Sequence, residues 1–389
     1  MVTRSTPLLP VQHAGMRASN LALVLGAIAD HTPATRAQVA VLTGLTKSSV
    51  SGLVADLLAA RLVAETSTVS AGDRGRPGTA LALSPQGLAG LGLEINVDYL
   101  AAMLIDLTGT VRYRHVVTVD NRRRSAEEVQ AAVAELATAA AESAREQGLP
   151  LAGASLAVPG VVEPAGVVRA PNLGWSDVTL VPAVPDTPLG TTVHNEADLA
   201  ALGELWTGEA GRDFVHVSAE IGIGSGIVLG GELFRGSHGR AGELGHLVLD
   251  AQGPECSCGG RGCLERLAGQ EAILAAAGVD TPEELYARCV SGDTVALEAV
   301  AAAGEHLGVA IASVTNLLDP GAIVLGGLFA ELSTWLLPSV GTTLRRHGTA
   351  PRIVVSRLGT EAAVRGAAGS VVRRVVADPA SYLALRSPA

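Results

Sequence analysis

The sequence predicts an α/β protein in two parts: an N-terminal winged helix-turn-helix over residues 1–85, followed by a two-lobed body over residues 86–389. Three observations predict it. The first 85 residues hold three short helical patterns and a strand-turn-strand run. From Leu91 onward the apolar spacing alternates between strand and helix periods, twice and in the same order. Charge divides between the parts: residues 1–85 carry seven cationic and four anionic side chains, and the chain as a whole is −10.

A balance of +3 in front leaves −13 for the rest, which suits a small nucleic-acid-binding module on an acidic body. At 48% hydrophobic and 17% charged, 389 residues can bury more than one core. Four cysteines are too few for a disulfide framework in a chain this long, so a reducing, cytoplasmic setting is expected. The run LALVLGAIA at 21–29 imitates a signal core but continues into a patterned helix. No membrane is expected as a partner, because no apolar run is read as reaching the ~18 residues of a span.

In the front part, Leu21, Leu23, Val24, Leu25 and Ile28 fit one helix from Ser19 to about Asp30, with Asn20 as its cap. A second helix starts from Thr35, runs through Val39, Ala40 and Leu42, and stops at Gly44, which tolerates a left-handed turn. Thr46 caps a third. Its residues Val50, Leu53, Val54, Leu57 and Leu58 make an inward stripe, while Lys47, Ser48, Ser49 and Ser51 point outward. Helix, tight turn and helix in this order place Thr46, Lys47, Ser48, Ser49 and Ser51 at the major groove of double-stranded DNA. Lys47 is the only lysine in the chain. The stretch ETSTVSAGDRGRPGTALALS then reads as a hairpin wing whose tip offers Arg74 and Arg76 to a minor groove. A three-helix packing domain with a solvated loop is the alternative.

In the body, LGLEINVDYLAAMLIDLTGTVRYRHVVTV reads as three strands, with DLTGT turning between the second and third. A helix from Ser125 to about Gln147 leads into the strand GASLAVPG. A second series begins at FVHVSAEIGIGSGIVLGGEL and closes with a helix over 294–316, the strand GAIVLGG, and a further helix, strand and helix. Two β-meanders, each followed by helix-strand units, predict duplicated lobes with a cleft between them. Within the second lobe, ECSCGGRGCLE at 255–265 holds three of the four cysteines, which read as metal ligands rather than a redox pair or surface thiols.

These residues resemble the ROK family, bacterial sugar kinases and sugar-responsive repressors on an actin-like, ribonuclease-H-like fold. The marks are GELGH at 242–246, CSCGGRGCLE at 256–265, VPGVV at 158–162, NEADLAALGE at 195–204 and the front module, which kinase members lack. The resemblance implies a structural Zn²⁺ site at His246, Cys256, Cys258 and Cys263, a closed tetrahedral set of three thiolates and one imidazole. It also implies that Glu243, His246, Glu265 and Asn195 bind sugar hydroxyls, with Asn172 in APNLGW a further candidate. Carboxylates, an amide and an imidazole suit vicinal hydroxyls, each of which donates and accepts. Glu196, a sixth candidate sugar contact, stands where the family's kinases carry their catalytic aspartate.

The kinase half of the pattern is altered. Where a DIGGTK-like phosphate loop is expected the chain reads Glu94, Ile95, Asn96, Val97, Asp98 and Tyr99, and GTGIG has become EIGIG, with Glu220 and Ile221. A phosphate loop exposes backbone N–H groups to an anion, and carboxylates there repel it. The extra methylene of Glu196 displaces its oxygens by about an ångström, enough to be costly to catalysis. The expectation is therefore a non-enzymatic regulator that binds a palindromic operator as a homodimer or homotetramer, represses carbohydrate-utilisation genes and is released by a sugar. An ATP-dependent sugar kinase with an accessory DNA-binding domain is the alternative. A regulator answering a phosphorylated sugar or a partner protein is a third reading, opposed by Glu94, Asp98 and Glu220.

Overall fold

The computed structural model describes residues 13–69, 78–163, 167–180, 184 and 187–386. Helix α1 (His13–Asp30) starts ahead of Ser19, so Asn20 lies within it instead of capping it. Leu21, Val24, Leu25 and Ile28 are buried, whereas Leu23 faces out. The two-residue strand β1 (Ala34–Thr35) runs into α2 (Arg36–Thr43), where Thr35 and Gln38 form a reciprocal capping box. Gly44 ends α2 at φ 71°, the left-handed conformation read from the sequence.

Thr46 accepts a hydrogen bond from the Ser49 amide at the start of α3 (Lys47–Ala59), which buries Val50, Leu53, Val54 and Leu57. Leu58, expected inside, is only partly buried, and Leu42 of α2 is 48% exposed. The wing strands β2 (Val63–Val69) and β3 (Gly78–Leu83) pair antiparallel, with β1 on the far edge of β3. Arg74 and Arg76 lie outside the described residues.

The first lobe is a five-stranded sheet of β4 (Ala89–Ile95), β5 (Tyr99–Asp106), β6 (Val111–Thr118), β7 (Leu151–Val158) and, further along the chain, β11 (Thr191–Asn195), in the order β11-β7-β4-β5-β6. The β5–β6 turn is held by Asp106, whose Oδ1 accepts from the amides of Thr108 and Thr110. Helix α4 (Ala126–Glu146), opened by a Ser125–Glu128 capping box, covers one face. A small sheet of β8 (Val161–Val162), β9 (Val167–Ala170) and β10 (Trp175–Thr179) follows β7; its short, interrupted strands carry no periodicity that the sequence reveals.

After α5 (Glu196–Thr207) the second lobe repeats the plan with β12 (Phe214–Ala219), β13 (Ile223–Leu229), β14 (Glu232–Leu233), β15 (Ala322–Gly326) and β16 (Ile353–Val355), in the order β14-β13-β12-β15-β16. An antiparallel meander extended by two parallel strands occurs in both lobes, the predicted duplication. The helices α6 (Leu264–Ala268), α7 (Gln270–Ala277), α8 (Pro282–Ser291) and α9 (Thr294–Leu318) precede β15. The chain closes with α10 (Gly327–Glu331), α11 (Ser333–Arg346), α12 (Ala362–Ala377) and α13 (Pro379–Arg386).

Helix α9 corrects one expectation. Its 25 residues are long and apolar enough to cross a membrane, but Val300, Leu307 and Ile311 are fully buried in the second-lobe core beside Leu336 and Val340 of α11. Its hydropathy is that of a core helix.

Helices α5 and α12 cross at the junction of the lobes at close range. A Cβ on Gly366 would stand 1.8 Å from the Leu199 carbonyl oxygen, and one on Gly203 would stand 2.3 Å from that of Ala362. Beyond this crossing α12 turns a second face to the front module. Val371, Val375 and Tyr382 share one apolar cluster with Leu25, Ile28, Val54 and Leu57. The two predicted parts thus share a core, each fully buried aliphatic side chain contributing roughly 1.5–3 kcal/mol.

Candidate functional site

The zinc-like constellation is assembled by local turns. A 3-10 turn at Leu244–His246 presents the imidazole, and the segment after it returns to pair with itself: the amides of Leu249 and Leu264 donate to the carbonyls of Gly262 and Leu247. Gly262 adopts φ +62°, and a Cβ there would lie 1.6 Å from the Asp250 carbonyl oxygen, so the loop closes only with glycine. His246, Cys256, Cys258 and Cys263 bring one ligand atom each to within 4.8 Å of the others. His246 Nδ1 is 3.7 Å from Cys256 Sγ, and Cys258 Sγ is 3.7 Å from Cys263 Sγ. With Zn–S near 2.3 Å, the edge of a tetrahedron of thiolates is about 3.8 Å, so the donor set fits Zn²⁺ in number, chemistry and spacing.

The other imidazole nitrogen, Nε2, lies 3.9 Å from Glu243 Oε2, on the side away from the thiols. Glu265, at the first turn of α6, places Oε1 2.9 Å from Cys256 Sγ, while Oε2 faces Gly222, where a Cβ would be 2.7 Å away. All six candidate sugar contacts, Asn172, Asn195, Glu196, Glu243, His246 and Glu265, line one cavity of 140 Å³ between the lobes. Asn195 is also structural, since its Oδ1 caps α5 through the Asp198 amide and its Nδ2 donates to the Gly160 carbonyl. Asn96, Ser218 and Ser257 line the same cavity without having been singled out as ligands. Asn96 sits in the altered loop, and its Nδ2 donates to Glu196 Oε1 at 3.3 Å, a contact between residues 100 apart that no local pattern signals.

The cavity opens past Asn195 and Glu243 into a wider cleft of 1340 Å³. Arg235 bridges its wall, 3.0 Å from His194 Nδ1 and 3.3 Å from Asp198 Oδ2. Burial, then Arg235 and Arg374, hold the His194 pKa down to about 4, so the neutral ring accepts from Arg235. Burial pushes the Asp198 carboxyl up to about 6 despite Arg235.

At the other end Glu196 and Glu220, from separate segments, line the cavity, and Glu94 interacts with them from the interior. Glu94 is buried, with Oε1 accepting from Tyr99 Oη at 2.6 Å and Oε2 unpartnered; Glu196 and Glu220 are partly buried cavity walls. Burial first, then mutual repulsion, raises each of them to about 8. Asp98 pairs with Arg122, 3.3 Å distant, and like Glu94 does not line this cavity.

A pH dependence follows from the raised carboxyls. Between the usual carboxylate range and about pH 8 the folded chain binds more protons than the unfolded one, so this contribution is complete at the acid end and lost as pH rises. Glu220→Gln should flatten that fall, its melting temperature gaining on the parent's from about pH 6 to about pH 8 in paired thermal scans.

On the front module, Thr46, Lys47, Ser48, Ser49 and Ser51 are all exposed at the N-terminal end of α3. Thr46 Oγ1 lies 3.0 and 2.9 Å from the hydroxyls of Ser48 and Ser49, and Ser51 Oγ donates to the Lys47 carbonyl, so the hydroxyls are oriented before any ligand arrives.

Comparison with known proteins gives the frame for these sites. The model of the ROK family matches residues 90–374, and that of the MarR family matches residues 22–74. The chain is 28% identical over 369 residues to a xylose repressor of Bacillus subtilis (strain 168), covering 91% of this chain and 94% of that one. It is 31% identical over 247 residues to a glucokinase of Halalkalibacterium halodurans, covering 56% of this chain and 74% of that one. Among solved structures, a ROK family transcriptional regulator described as a homologue of the Escherichia coli MLC protein superposes with a TM-score of 0.80 at 26% identity, covering 95% and 99% of the two chains.

Proposed function

The chain belongs to the ROK family, and from that membership we propose that it is a sugar-responsive DNA-binding repressor, acting in the cytoplasm on carbohydrate-utilisation genes. One observation carries the reading: every candidate hydroxyl-binding side chain meets in one cavity whose far end is closed by carboxyls, in a body that shares its core with a winged helix-turn-helix. Vicinal hydroxyls find acceptors in Glu243 and Glu265 and a paired donor and acceptor in the Asn172 amide. A nucleotide phosphate finds the side chains of the 94–99 segment and Glu220 in place of bare glycine N–H groups. The reading therefore assigns no phosphoryl transfer to this chain.

His246, Cys256, Cys258 and Cys263 would hold a structural Zn²⁺, whose chemistry is to fix the loop and the imidazole rather than to activate water. The chain's own contribution is orientation. With Nδ1 toward the thiols, Nε2 and Glu243 are presented together to a ligand hydroxyl. The DNA-bound form is a dimer on a palindromic operator, in which the N-terminal turn of each α3 enters a major groove. Release by sugar requires the ligand to favour one arrangement of lobes and front modules by roughly 3 to 5 kcal/mol.

Glu243→Ala tests the assignment. In fluorescence polarisation with an operator fragment selected from genomic DNA, the variant should bind DNA within about twofold of the parent. It should not be released by the xylose, glucose or N-acetylglucosamine that releases the parent. Normal release of a folded variant would show that the sugar binds elsewhere. Lys47→Ala should weaken DNA binding and reduce the slope of log affinity against log salt by about one, the signature of a lost phosphate contact.

A further inference from the structure

Another cavity, of 160 Å³, shares no lining residue with the sugar cavity and lies at the seam between the front module and the body. Ala29 of α1 and Leu83 of β3 form one wall; Ile105, Leu107 and Val376 form the other. Its polar groups are unusual for a chain of net charge −10. Two guanidiniums, Arg365 and Arg373, line it, and among the described residues no carboxylate does. The carboxylate paired with Arg365, Glu361, is divided between two cations: Oε1 lies 2.7 Å from Arg114 Nε, and Oε2 lies 3.4 Å from Arg365 Nη2. Arg365 Nε is buried without a hydrogen-bond partner, a donor whose desolvation nothing offsets.

Trp206 supplies a flat face. Its indole lies across Gly369, where a Cβ would come within 2.7 Å of the ring, and the Arg373 guanidinium carbon sits 5.7 Å from the ring centroid. An apolar cavity of about 150 Å³ accommodates a benzene-sized molecule. Apolar walls, an aromatic shelf and a donor-rich rim whose two guanidiniums have one shared carboxylate between them and Arg114 specify the occupant's chemistry.

We propose that this seam cavity binds a small organic carboxylate with a compact apolar or aromatic body, its anionic end on Arg365 and Arg373 and its body against Trp206 and the aliphatic walls. The site is separate from the sugar cavity, but one helix joins them. Glu196 begins α5 in the sugar cavity, and Trp206, ten residues on and thus about 15 Å along the axis, faces the seam. An occupant touching both α1 and α12 would act where front module and body meet, and its binding would be linked reciprocally to any ligand that shifts α5.

Calorimetric titration of the full metal-loaded chain with benzoate, inorganic phosphate and benzyl alcohol tests this. Saturable binding of benzoate, with phosphate and benzyl alcohol at least about tenfold weaker, is expected. Arg373→Gln changes an exposed side chain and leaves the fold alone; it should weaken benzoate at least about tenfold, and Arg365→Gln should do the same. Glu243→Ala should leave benzoate binding unchanged. No benzoate binding, equal binding of all three probes, or undiminished binding by both arginine variants would each overturn the proposal. So would loss of benzoate binding in Glu243→Ala, which would put the anion in the sugar cavity.

Discussion

Cys263→Ser should strip the chain of stoichiometric zinc, cost about 3 kcal/mol or more of stability, and abolish the response to sugar while operator binding persists. Cys263 is 1% exposed and sits where the returning loop meets α6; it bridges to Val248, and its sulfur is one of the four converging ligand atoms. Once that ligand is lost, three donors no longer close a tetrahedron, and the Leu247–Leu264 pairing is left to hold the loop alone. His246 and Glu265 then lose their fixed separation from Glu243 and Gly222. The checks are elemental analysis, a thermal melt, and polarisation with and without sugar. A variant that keeps a full equivalent of zinc, or that sheds it yet still answers sugar, would refute the coupling of metal to sensing. The front module contains none of these ligands, so its affinity for DNA should move little.

Gly366→Ala should be the most damaging added methyl group at the crossing of α5 and α12, destabilising by about 3 kcal/mol or preventing folding. Its Cβ would be driven to 1.8 Å from the backbone oxygen of Leu199 and 2.9 Å from the backbone nitrogen of Gly203, neither of which can rotate aside. Gly369→Ala, one turn on, is the control. There the methyl meets only the rim of the Trp206 ring, a side chain able to swing, and a cost of about 1 kcal/mol is expected. Urea unfolding of the two variants side by side would separate a rigid crossing from a merely crowded one; similar losses would contradict the distinction.

Much of this was legible along the chain because it is encoded locally. Thr35, Gly44 and Thr46 bound α2 and α3 through side-chain caps and a left-handed turn, chemistry confined to four or five residues. Asp106 and Gly109 turn β5 into β6 in the same way. The four metal-binding candidates are separated by ten residues or fewer from their neighbours and needed no tertiary knowledge. The start of α1 was missed because residues before Ser19 lack an apolar face, and the helix there is carried by its continuation.

Long-range placements were not legible. Glu94 and Glu220 were readable as hostile to phosphate and Glu196 as an altered base, but their mutual proximity depends on β4, α5 and the turn after β12 meeting between lobes. The pairing of Asp98 with Arg122, 24 positions on, is another contact that no local pattern signals. The packing of α12 and α13 on α1 joins residues more than 340 positions apart, and nothing in either segment names the other.

That last contact changes what the front of the chain can be exchanged for. Because Val371, Val375 and Tyr382 complete the interior of the reading head, a relative that dispensed with it would need those positions repainted with polar side chains to stay in solution. A foreign head grafted in its place would fold properly only if it arrived with a surface already cut to that helix.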